Sequence, residues 1–309
     1  MIQLFNINNY IVDTSMFDHS LHGSVVESFE KEFAKYVGAK YACSVSSATN
    51  AIFLSFLNKN QLVEVPSMIP PVVLNALINS GNQIDFVDNI GWVGNSYVLH
   101  DFGDYKVIDS AQRVDKMQYS NEANPSDLMI FSFYPTKPIG SLDGGMIVSD
   151  DFAKIKWFKE ATLNGMSYDR DNWSRSIKFP GWKMYMSSFQ AYIALQNFYK
   201  IEEKKARLAD IRQKYNALLG YENTSEHLYR INVPNREGFM NNMKQSGINC
   251  GIHYLAAHKN FVYSGAAKKQ LLKTEVEERT TVSIPYHEKL TDAEIDIVVE
   301  YIKKYMRRE

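Results

Sequence analysis

Short apolar runs alternate with amphipathic segments through the first half of the chain. Seven runs have the length and composition of buried strands: KYACSV, LVEVP, QIDFVD, SYVLH, YKVID, LMIFSF and GGMIVS. Segments with helical spacing precede, separate or follow them, such as SVVESFEKEFAKYVG, SSATNAIFLSFL and PPVVLNALINSG. Strands that are apolar throughout and alternate with helices predict a mostly parallel, seven-stranded sheet covered by helices.

The section from Ile90 to Gln112 breaks this alternation. Its strand-like runs follow one another with few residues between them. Parallel strands need a crossover of about a dozen residues, so at least one crossover helix is missing here.

Beyond Asp150 the pattern changes to long helical repeats. The stretch from Met186 to Gly220 predicts a long helical region, followed by a strand HLYRINV, a helix near REGFMNNMKQSG, a strand INCGIHY and a final helix. Capping-box spacing marks the start of the final helix at Thr291, as Ser24 marks the first. The sequence therefore predicts a large domain over residues 1–205 and a smaller C-terminal α/β domain over residues 206–309.

Composition and charge exclude several classes of protein. The 309 residues are 45% hydrophobic, with a formal net charge of -1, which does not favour nucleic acid or an anionic membrane as partner. Only two cysteines are present, without C-x-x-C or zinc spacing, so neither a disulfide framework nor a metal site is expected. The sequence has no apolar run near the roughly 20 residues that span a bilayer and no signal-peptide pattern, so we expect a cytoplasmic protein.

Polar residues follow three of the predicted strands, where open α/β sheets bind ligands. Ser47 and Thr49 open a helix whose first N–H groups suit a phosphate, although a serine-rich helix cap explains them equally simply. Asp109 ends the run YKVID; a buried carboxylate there needs a partner, and a helix cap or a salt bridge is the alternative.

The third strand leads into FSFYPTKPIGSLDGG, where Pro135 and Pro138 bracket Lys137. The alternative is a solvated loop lysine, which the adjacent prolines and aromatic residues disfavour. Partial burial lowers the pKa of a lysine and frees its amine as a nucleophile. A phosphate site, a carboxylate, a serine and such a lysine together are the groups that pyridoxal phosphate requires.

An ordered set of segments resembles the DegT/DnrJ/EryC1/StrS family of sugar aminotransferases, which have fold type I and depend on pyridoxal phosphate. The resemblance covers most of the chain, through VVESFEKEFAKYVGAKYACSVSSATNAI, VIDSAQ, FSFYPTKPIGSLDGGMIVSDD, GWKMYMSSFQAYIALQNF, GINCGIHY and TTVSIPYHEKLTDAEID. It implies a fold-type-I transferase and a homodimer with shared active sites.

The resemblance also implies residue roles. Lys137 would form the Schiff base with pyridoxal phosphate and move the proton, and Asp109 would pair with the pyridine nitrogen. The other implied cofactor contacts are Ala48, Thr49, Gln112, Ser132 and, across the dimer interface, Lys183. On the substrate side the resemblance points to His253, Tyr254 and His22; for His22 a surface position is the simpler interpretation.

The chain departs from the family pattern at four places. Pro70 stands where an aromatic residue usually stacks on the cofactor ring, Lys183 replaces the interface asparagine, and Pro138 follows the lysine where asparagine is frequent. The chain is also short, mainly around residues 90 to 108. These departures leave cofactor retention and substrate preference open.

The resemblance implies transfer of an amino group from L-glutamate to a nucleotide-linked ketosugar, typically a 4-keto-6-deoxy sugar on dTDP or UDP, in amino-sugar or surface-polysaccharide biosynthesis. A 3-keto sugar is an alternative. A second hypothesis, motivated by Pro70 and the short chain, is a non-catalytic or regulatory member that binds pyridoxal phosphate or a nucleotide sugar.

Overall fold

Nine strands and ten α-helices form the part of the chain that the computed structural model describes, residues 1–7, 10–167, 176–266 and 268–307. The strands are β1 (Tyr41–Val45), β2 (Leu62–Pro66), β3 (Gln83–Val87), β4 (Tyr97–Asp101), β5 (Lys106–Asp109), β6 (Leu128–Ser132), β7 (Gly145–Ser149), β8 (Tyr229–Asn232) and β9 (Thr281–Ile284). The helices are α1 (Ser24–Val37), α2 (Ala48–Ser55), α3 (Pro71–Asn79), α4 (Gln118–Glu122), α5 (Phe152–Thr162), α6 (Ser188–Phe198), α7 (Ile201–Leu219), α8 (Arg236–Gln245), α9 (Leu272–Thr280) and α10 (Asp292–Met306).

The main sheet has five strands in the order β1-β7-β6-β5-β4, and β2 and β3 form a separate parallel pair. Within the main sheet β5 and β6 are parallel, whereas the other three pairs are antiparallel. The prediction of a mostly parallel, seven-stranded sheet is therefore wrong, although all seven predicted strands exist. Residues 102–105 join β4 to β5 and are too few for a crossover. Residues 133–144 join β6 to β7 through turns without a helix to cross the sheet, and both pairs are antiparallel.

Three strands of the main sheet nevertheless run in one direction. β1 and β6 are each antiparallel to β7, and β5 is parallel to β6. The carboxyl ends of β1, β5 and β6 therefore meet at one edge of the sheet, and the residues that follow them are brought together there.

Both faces of the sheet are covered. Alternate residues of β6 face opposite sides: Ile130 packs with α2, α3 and α5, while Met129 and Phe131 pack with α1 and α6. Phe29, Phe33 and Phe131 are fully buried, and each contributes about 1.5–3 kcal/mol of burial free energy. The packed helices therefore fix the positions of the carboxyl ends of β1, β5 and β6 and of the residues that follow them.

A third apolar cluster is formed by α7, α8, α10, β8 and β9, with Ile2 from the N-terminal segment. The predicted division at residues 205 and 206 falls inside α7, and the domain boundaries stay a prediction. The predicted long helical region is two helices, α6 and α7, with Tyr199 and Lys200 between them.

The predicted strand INCGIHY is wrong. Its residues make single bridges, between Ile248 and Ile2 and between Gly251 and Ser283, and β9 pairs with β8 instead. The capping box at Thr291 and Glu294 is confirmed. The one at Ser24 is wrong because Gly23 is the N-cap and the Ser24 N–H donates to Asp18. In the ranges described above, no helix is long and apolar enough to cross a membrane.

Candidate functional site

The first component of the site is the start of α2, directly after β1. Ser47 caps this helix by accepting a hydrogen bond on Oγ from the Asn50 N–H at 3.3 Å. Gly145 of β7 pairs with Val45 on one side and Ser132 on the other. A Cβ at Gly145 would lie 2.6 Å from the Ala48 nitrogen, so only glycine lets the helix start approach β7 this closely, at the residue that pairs with Ser132. First-turn N–H groups beside Ser132 suit a phosphate group.

The second component is Asp109 at the end of β5, which is only 4% exposed. Its Oδ2 accepts a hydrogen bond from the Tyr97 hydroxyl at 3.0 Å, and its Oδ1 accepts one from the Ala111 N–H at 2.9 Å. Burial raises the pKa of this carboxyl, while these two donors and the charge of Lys137 pull it back down. The pKa of Tyr97 is raised well above its ordinary value by burial and by Asp109, so its hydroxyl keeps the proton it donates.

Gln112 is fixed at both ends of its amide group. Its Oε1 accepts a hydrogen bond from the Gly94 N–H at 2.7 Å, and its Nε2 donates to the Tyr254 hydroxyl at 2.9 Å. The Tyr254 ring stacks on Trp92, with ring centroids 5.9 Å apart and planes 9° apart. Gln112 therefore links the sheet edge to the segment that carries Tyr254.

Lys137 lies on a tight turn between β6 and β7. The Lys137 N–H donates to the Tyr134 carbonyl at 2.8 Å, and the Lys137 carbonyl accepts from Lys204 Nζ at 3.4 Å. Burial lowers the pKa of the amine to about 8, against the opposing charge of Asp109. At pH 8 about half of such an amine is neutral, which is the nucleophilic and proton-accepting form.

These groups line one cavity of about 380 Å³. Eight of the predicted site residues lie in its wall: Ala48, Thr49, Asp109, Gln112, Ser132, Lys137, His253 and Tyr254. We call the first six of these the cofactor edge. In the described ranges no group of histidine, cysteine, aspartate and glutamate side chains could hold a metal ion.

Two predicted site residues do not line this cavity. Lys183 is exposed, and its backbone forms an isolated antiparallel β-bridge with Leu163. His22 is half-buried, with its ring centroid 4.3 Å from that of Tyr185. The role of Lys183 depends on a second subunit, and the roles of both residues stay predictions.

The two departures that involve proline lie on different sides of the lysine turn. Pro70 is part of the cavity wall and precedes α3. Pro138 lines a separate cleft of about 690 Å³ behind the turn. Pro70 therefore contributes to the site surface, whereas Pro138 shapes the turn that presents Lys137.

The sequence analysis missed three residues whose rings line the cavity, Phe5, Trp92 and His227. It also missed Tyr97, the hydroxyl donor to Asp109. Trp92 and Tyr97 belong to residues 90–97, which we call the support segment; its tight, helix-free pattern hinted at an unusual role but not at these contacts. His227 stands at the start of the strand-like run HLYRINV, where only its polar character distinguishes it from core residues.

On the side formed by the C-terminal part of the chain, His253 Nδ1 lies 2.8 Å from Ser283 Oγ. Burial and the charges of Lys137 and Arg230 lower the pKa of His253 to about 4. Burial raises the pKa of Tyr254. Both side chains are therefore neutral at neutral pH and present hydrogen-bonding groups to the cavity.

The donor set fits pyridoxal phosphate. The helix start with Ser132 provides phosphate donors beside the close approach at Gly145, and Asp109 provides a carboxylate for a protonated ring nitrogen. Lys137 provides a partly neutral amine in the same cavity.

Comparison with known proteins gives a family. The sequence profile of the DegT/DnrJ/EryC1/StrS aminotransferase family matches residues 6–89 and 107–303. The match omits residues 90–106 and therefore the whole support segment.

Individual relatives agree with the profile. The chain is 24% identical to the UDP-4-amino-4,6-dideoxy-N-acetyl-beta-L-altrosamine transaminase of Campylobacter jejuni, over 87% of this chain and 86% of that protein. Its fold is similar to that of the aminotransferase TlmJ from Streptoalloteichus hindustanus, with a TM-score of 0.83, 18% identity and coverage of 100% and 99% of the two chains. It is also similar to the putative sugar aminotransferase Spr1654 from Streptococcus pneumoniae in its PMP form, with a TM-score of 0.81, 17% identity and coverage of 98% and 99%.

Proposed function

The chain belongs to the DegT/DnrJ/EryC1/StrS aminotransferase family, and from that premise we propose that it transfers an amino group from L-glutamate to a nucleotide-linked ketosugar. The single observation that best supports this proposal is the placement of a buried lysine, a buried aspartate and a phosphate-type helix start around one cavity. A chain that had lost catalysis would have no need to keep all three, because a buried charge costs free energy.

When bound, pyridoxal phosphate supplies an electron sink for the carbon next to the substrate nitrogen and carries the amino group from one substrate to the other. Ala48, Thr49 and Ser132 hold its phosphate in this proposal. Asp109 would accept the hydrogen bond of the protonated ring nitrogen, and its own bonds from Tyr97 and the Ala111 N–H keep that carboxylate in place. Gln112 would lie against the ring.

Lys137 has two tasks in this proposal. Through Nζ it would hold the cofactor covalently between turnovers. Once released, its neutral amine would take the proton from the amino-bearing carbon of glutamate and deliver it to the cofactor carbon within the same half-reaction. In the second half the same Nζ would move a proton the other way, from that carbon to the sugar carbon that receives the amino group. A pKa of about 8 suits both proton uptake and proton release, because the protonated and the neutral amine are both populated near neutral pH.

The proposed sugar substrate is a 4-keto-6-deoxy sugar on UDP or dTDP. The support for UDP is the Campylobacter jejuni relative, whose name specifies a UDP-linked amino sugar. His253 and Tyr254, both neutral hydrogen-bonding groups at the cavity, are the proposed contacts to the sugar hydroxyls.

A homodimer with shared sites is part of the proposal. Lys183 is exposed and has no place in the cavity of its own chain. In a dimer its ammonium group would reach the cofactor phosphate of the partner subunit as a point charge.

The direct test is a panel of UDP- and dTDP-linked ketosugars incubated with the purified protein, pyridoxal phosphate and L-glutamate. We expect mass spectrometry to show one aminated nucleotide sugar and an equal amount of 2-oxoglutarate. The same panel with Lys137→Ala should give neither product. Formation of 2-oxoglutarate by Lys137→Ala at the wild-type rate would contradict the proposal.

A protein that remains colourless after incubation with pyridoxal phosphate would instead support the non-catalytic hypothesis. Binding of a nucleotide sugar without any colour or turnover would assign the cavity to recognition alone.

A further inference from the structure

The loop before β8 places an imidazole against the amine of Lys137. His227 Nε2 lies 3.5 Å from Lys137 Nζ, and the histidine is only 6% exposed. No role was assigned to His227 from the sequence, and the proposed reaction described above does not use it. The contact is between two groups whose proton states decide what each can do.

The imidazole is held firmly in this position. Ser225 Oγ accepts hydrogen bonds from the N–H groups of His227 and Leu228, both at 3.1 Å, which fixes the backbone of the loop. The Phe5 ring stacks on the imidazole, with ring centroids 5.9 Å apart and planes 18° apart. Packing on both the backbone and the ring face leaves His227 little freedom to turn away from Lys137.

The charged and titratable groups around His227 all favour its neutral form. Burial is the main cause that lowers the pKa of this histidine well below its ordinary value, followed by the charges of Lys137, His253 and Lys204. A neutral imidazole has one nitrogen with a proton and one with a lone pair. With the proton on Nδ1, Nε2 is free to accept a hydrogen bond from the amine.

We propose that His227 is the positioning residue of Lys137, accepting a hydrogen bond from Nζ on its Nε2 and holding the amine at the cavity. The role of this hydrogen bond in catalysis rests on the proposed function, whereas the contact between His227 and Lys137 does not. A lysine side chain has many rotamers, and an acceptor at the cavity wall restricts Nζ to the position where a cofactor or substrate meets it.

The hydrogen bond also adjusts the proton affinity of the amine. An acceptor stabilises the ammonium form more than the neutral form, so His227 acts in the same direction as Asp109 and against burial. The result is an amine that can take up a proton and release it again near neutral pH.

The test measures the pKa of Lys137 in the full-length protein without cofactor, so that it does not depend on turnover. The pH dependence of labelling at Lys137 by acetic anhydride is followed by peptide mass spectrometry, with exposed lysines as an internal reference. His227→Phe keeps an aromatic ring for Phe5 to stack on but removes the acceptor. We expect its labelling midpoint to fall by about one pH unit from about 8, which raises the neutral fraction at pH 7 and makes labelling there about fivefold faster.

Two variants separate positioning from packing. His227→Gln keeps a carbonyl acceptor and should return the midpoint close to the wild-type value. His100→Gln changes a histidine on β4 that packs against Phe56 and Phe102 and should leave the midpoint unchanged. Equal midpoints in wild type and His227→Phe would overturn the proposal, as would equal shifts in the phenylalanine and glutamine variants.

A reciprocal measurement leaves His227 in place. In Lys137→Met the charge beside the imidazole is lost, so the pKa of His227, followed by NMR of its ring Cε1–H group, should rise while staying below that of a free histidine. An unchanged histidine titration would contradict the contact. If both titrations behave as expected but the ketosugar panel gives no product, the proposed function fails and the positioning contact stands.

Discussion

Two parts of the chain that meet at the cavity differ in their relation to the family. The cofactor edge lies wholly within the residues that match the family profile, whereas the support segment lies in the range that the match omits. Yet three of its residues contact groups at the cavity. The Tyr97 hydroxyl donates a hydrogen bond to Asp109, the Gly94 N–H donates one to Gln112, and the Trp92 ring stacks on Tyr254. The proposed reacting groups therefore lie in the matched ranges, while residues that contact them come from a segment that the family profile does not match.

The difference has a physical reason. A Schiff-base lysine and a carboxylate for a ring nitrogen are fixed by the chemistry of the cofactor. The groups that hold them need only supply a donor, an acceptor or a packed surface, which many local structures can do. Substitutions in the two parts should therefore have different signatures: loss of chemistry in the cofactor edge, and loss of order or stability in the support segment.

The largest expected effect is on the cofactor edge. Asp109→Asn should lower kcat with L-glutamate by about 10³-fold, because the proposed role of this carboxylate is to keep the ring nitrogen protonated and the variant loses its charge. Its amide oxygen can still accept a hydrogen bond from Tyr97 or Ala111, so we expect the thermal unfolding temperature to change little. Asp101→Asn, at an exposed position of β4, is the matched control and should keep wild-type kcat. A wild-type rate in Asp109→Asn would move the ring-nitrogen partner to another residue.

The next effect is on the support segment and on stability. Gly94 has a φ of +87°, and a Cβ there would lie 2.2 Å from Ser225 Oγ. Gly103 has a similar φ of +92°, but no atom lies within 4 Å of its Cβ position. Gly103→Ala should cost about 1 kcal/mol from backbone strain alone, and Gly94→Ala about 2–4 kcal/mol, because the overlap with Ser225 is added.

Urea denaturation of the two alanine variants measures this difference directly. Gly94→Ala should also disturb the site. The Gly94 N–H donates a hydrogen bond to Gln112, and Gly94 packs against Ser225, whose hydroxyl accepts a hydrogen bond from the His227 N–H. Equal unfolding free energies for the two variants would show that the support segment is not packed against the loop before β8.

The smallest expected effect lies where the two parts meet. Tyr97→Phe removes the hydroxyl donor to Asp109, so the pKa of that carboxyl should rise and kcat should fall about tenfold. Because the hydrogen bond lowers the pKa of Asp109, the loss of activity should grow as the pH is lowered. Tyr41→Phe, at a partly exposed position of β1, is the control. A pH-independent rate ratio between wild type and Tyr97→Phe would contradict an electrostatic role for this hydroxyl.

The meeting of the cofactor-edge residues at one cavity was predictable because they lie at or just after the ends of strands that the apolar pattern marks clearly, whereas the role of each residue is implied by the family resemblance and stays a prediction. Asp109 after KVI and Lys137 between prolines stand out locally, without knowledge of distant contacts. The direction of the strands was not predictable in the same way. The apolar runs of β4 and β7 fit a parallel or an antiparallel neighbour, and only the short connections decide between them.

Two close approaches near the site join residues far apart in the sequence. Gly94 meets Ser225, and His227 meets Lys137, 90 positions apart in the chain. No periodicity signals such pairs. The prediction of a strand at INCGIHY failed because its residues make only single bridges, to Ile2 and to Ser283, which are distant in the sequence.

The most direct test of the central claim, that the cofactor edge carries the chemistry at Lys137, is borohydride reduction of the protein loaded with pyridoxal phosphate. Reduction fixes the cofactor to the amine that holds it, and peptide mass spectrometry identifies that residue. We predict a single pyridoxyl-phosphate adduct on the peptide that contains Lys137, and none in Lys137→Ala. An adduct on another lysine at equal yield in the variant, or no adduct in the wild-type protein, would contradict the account.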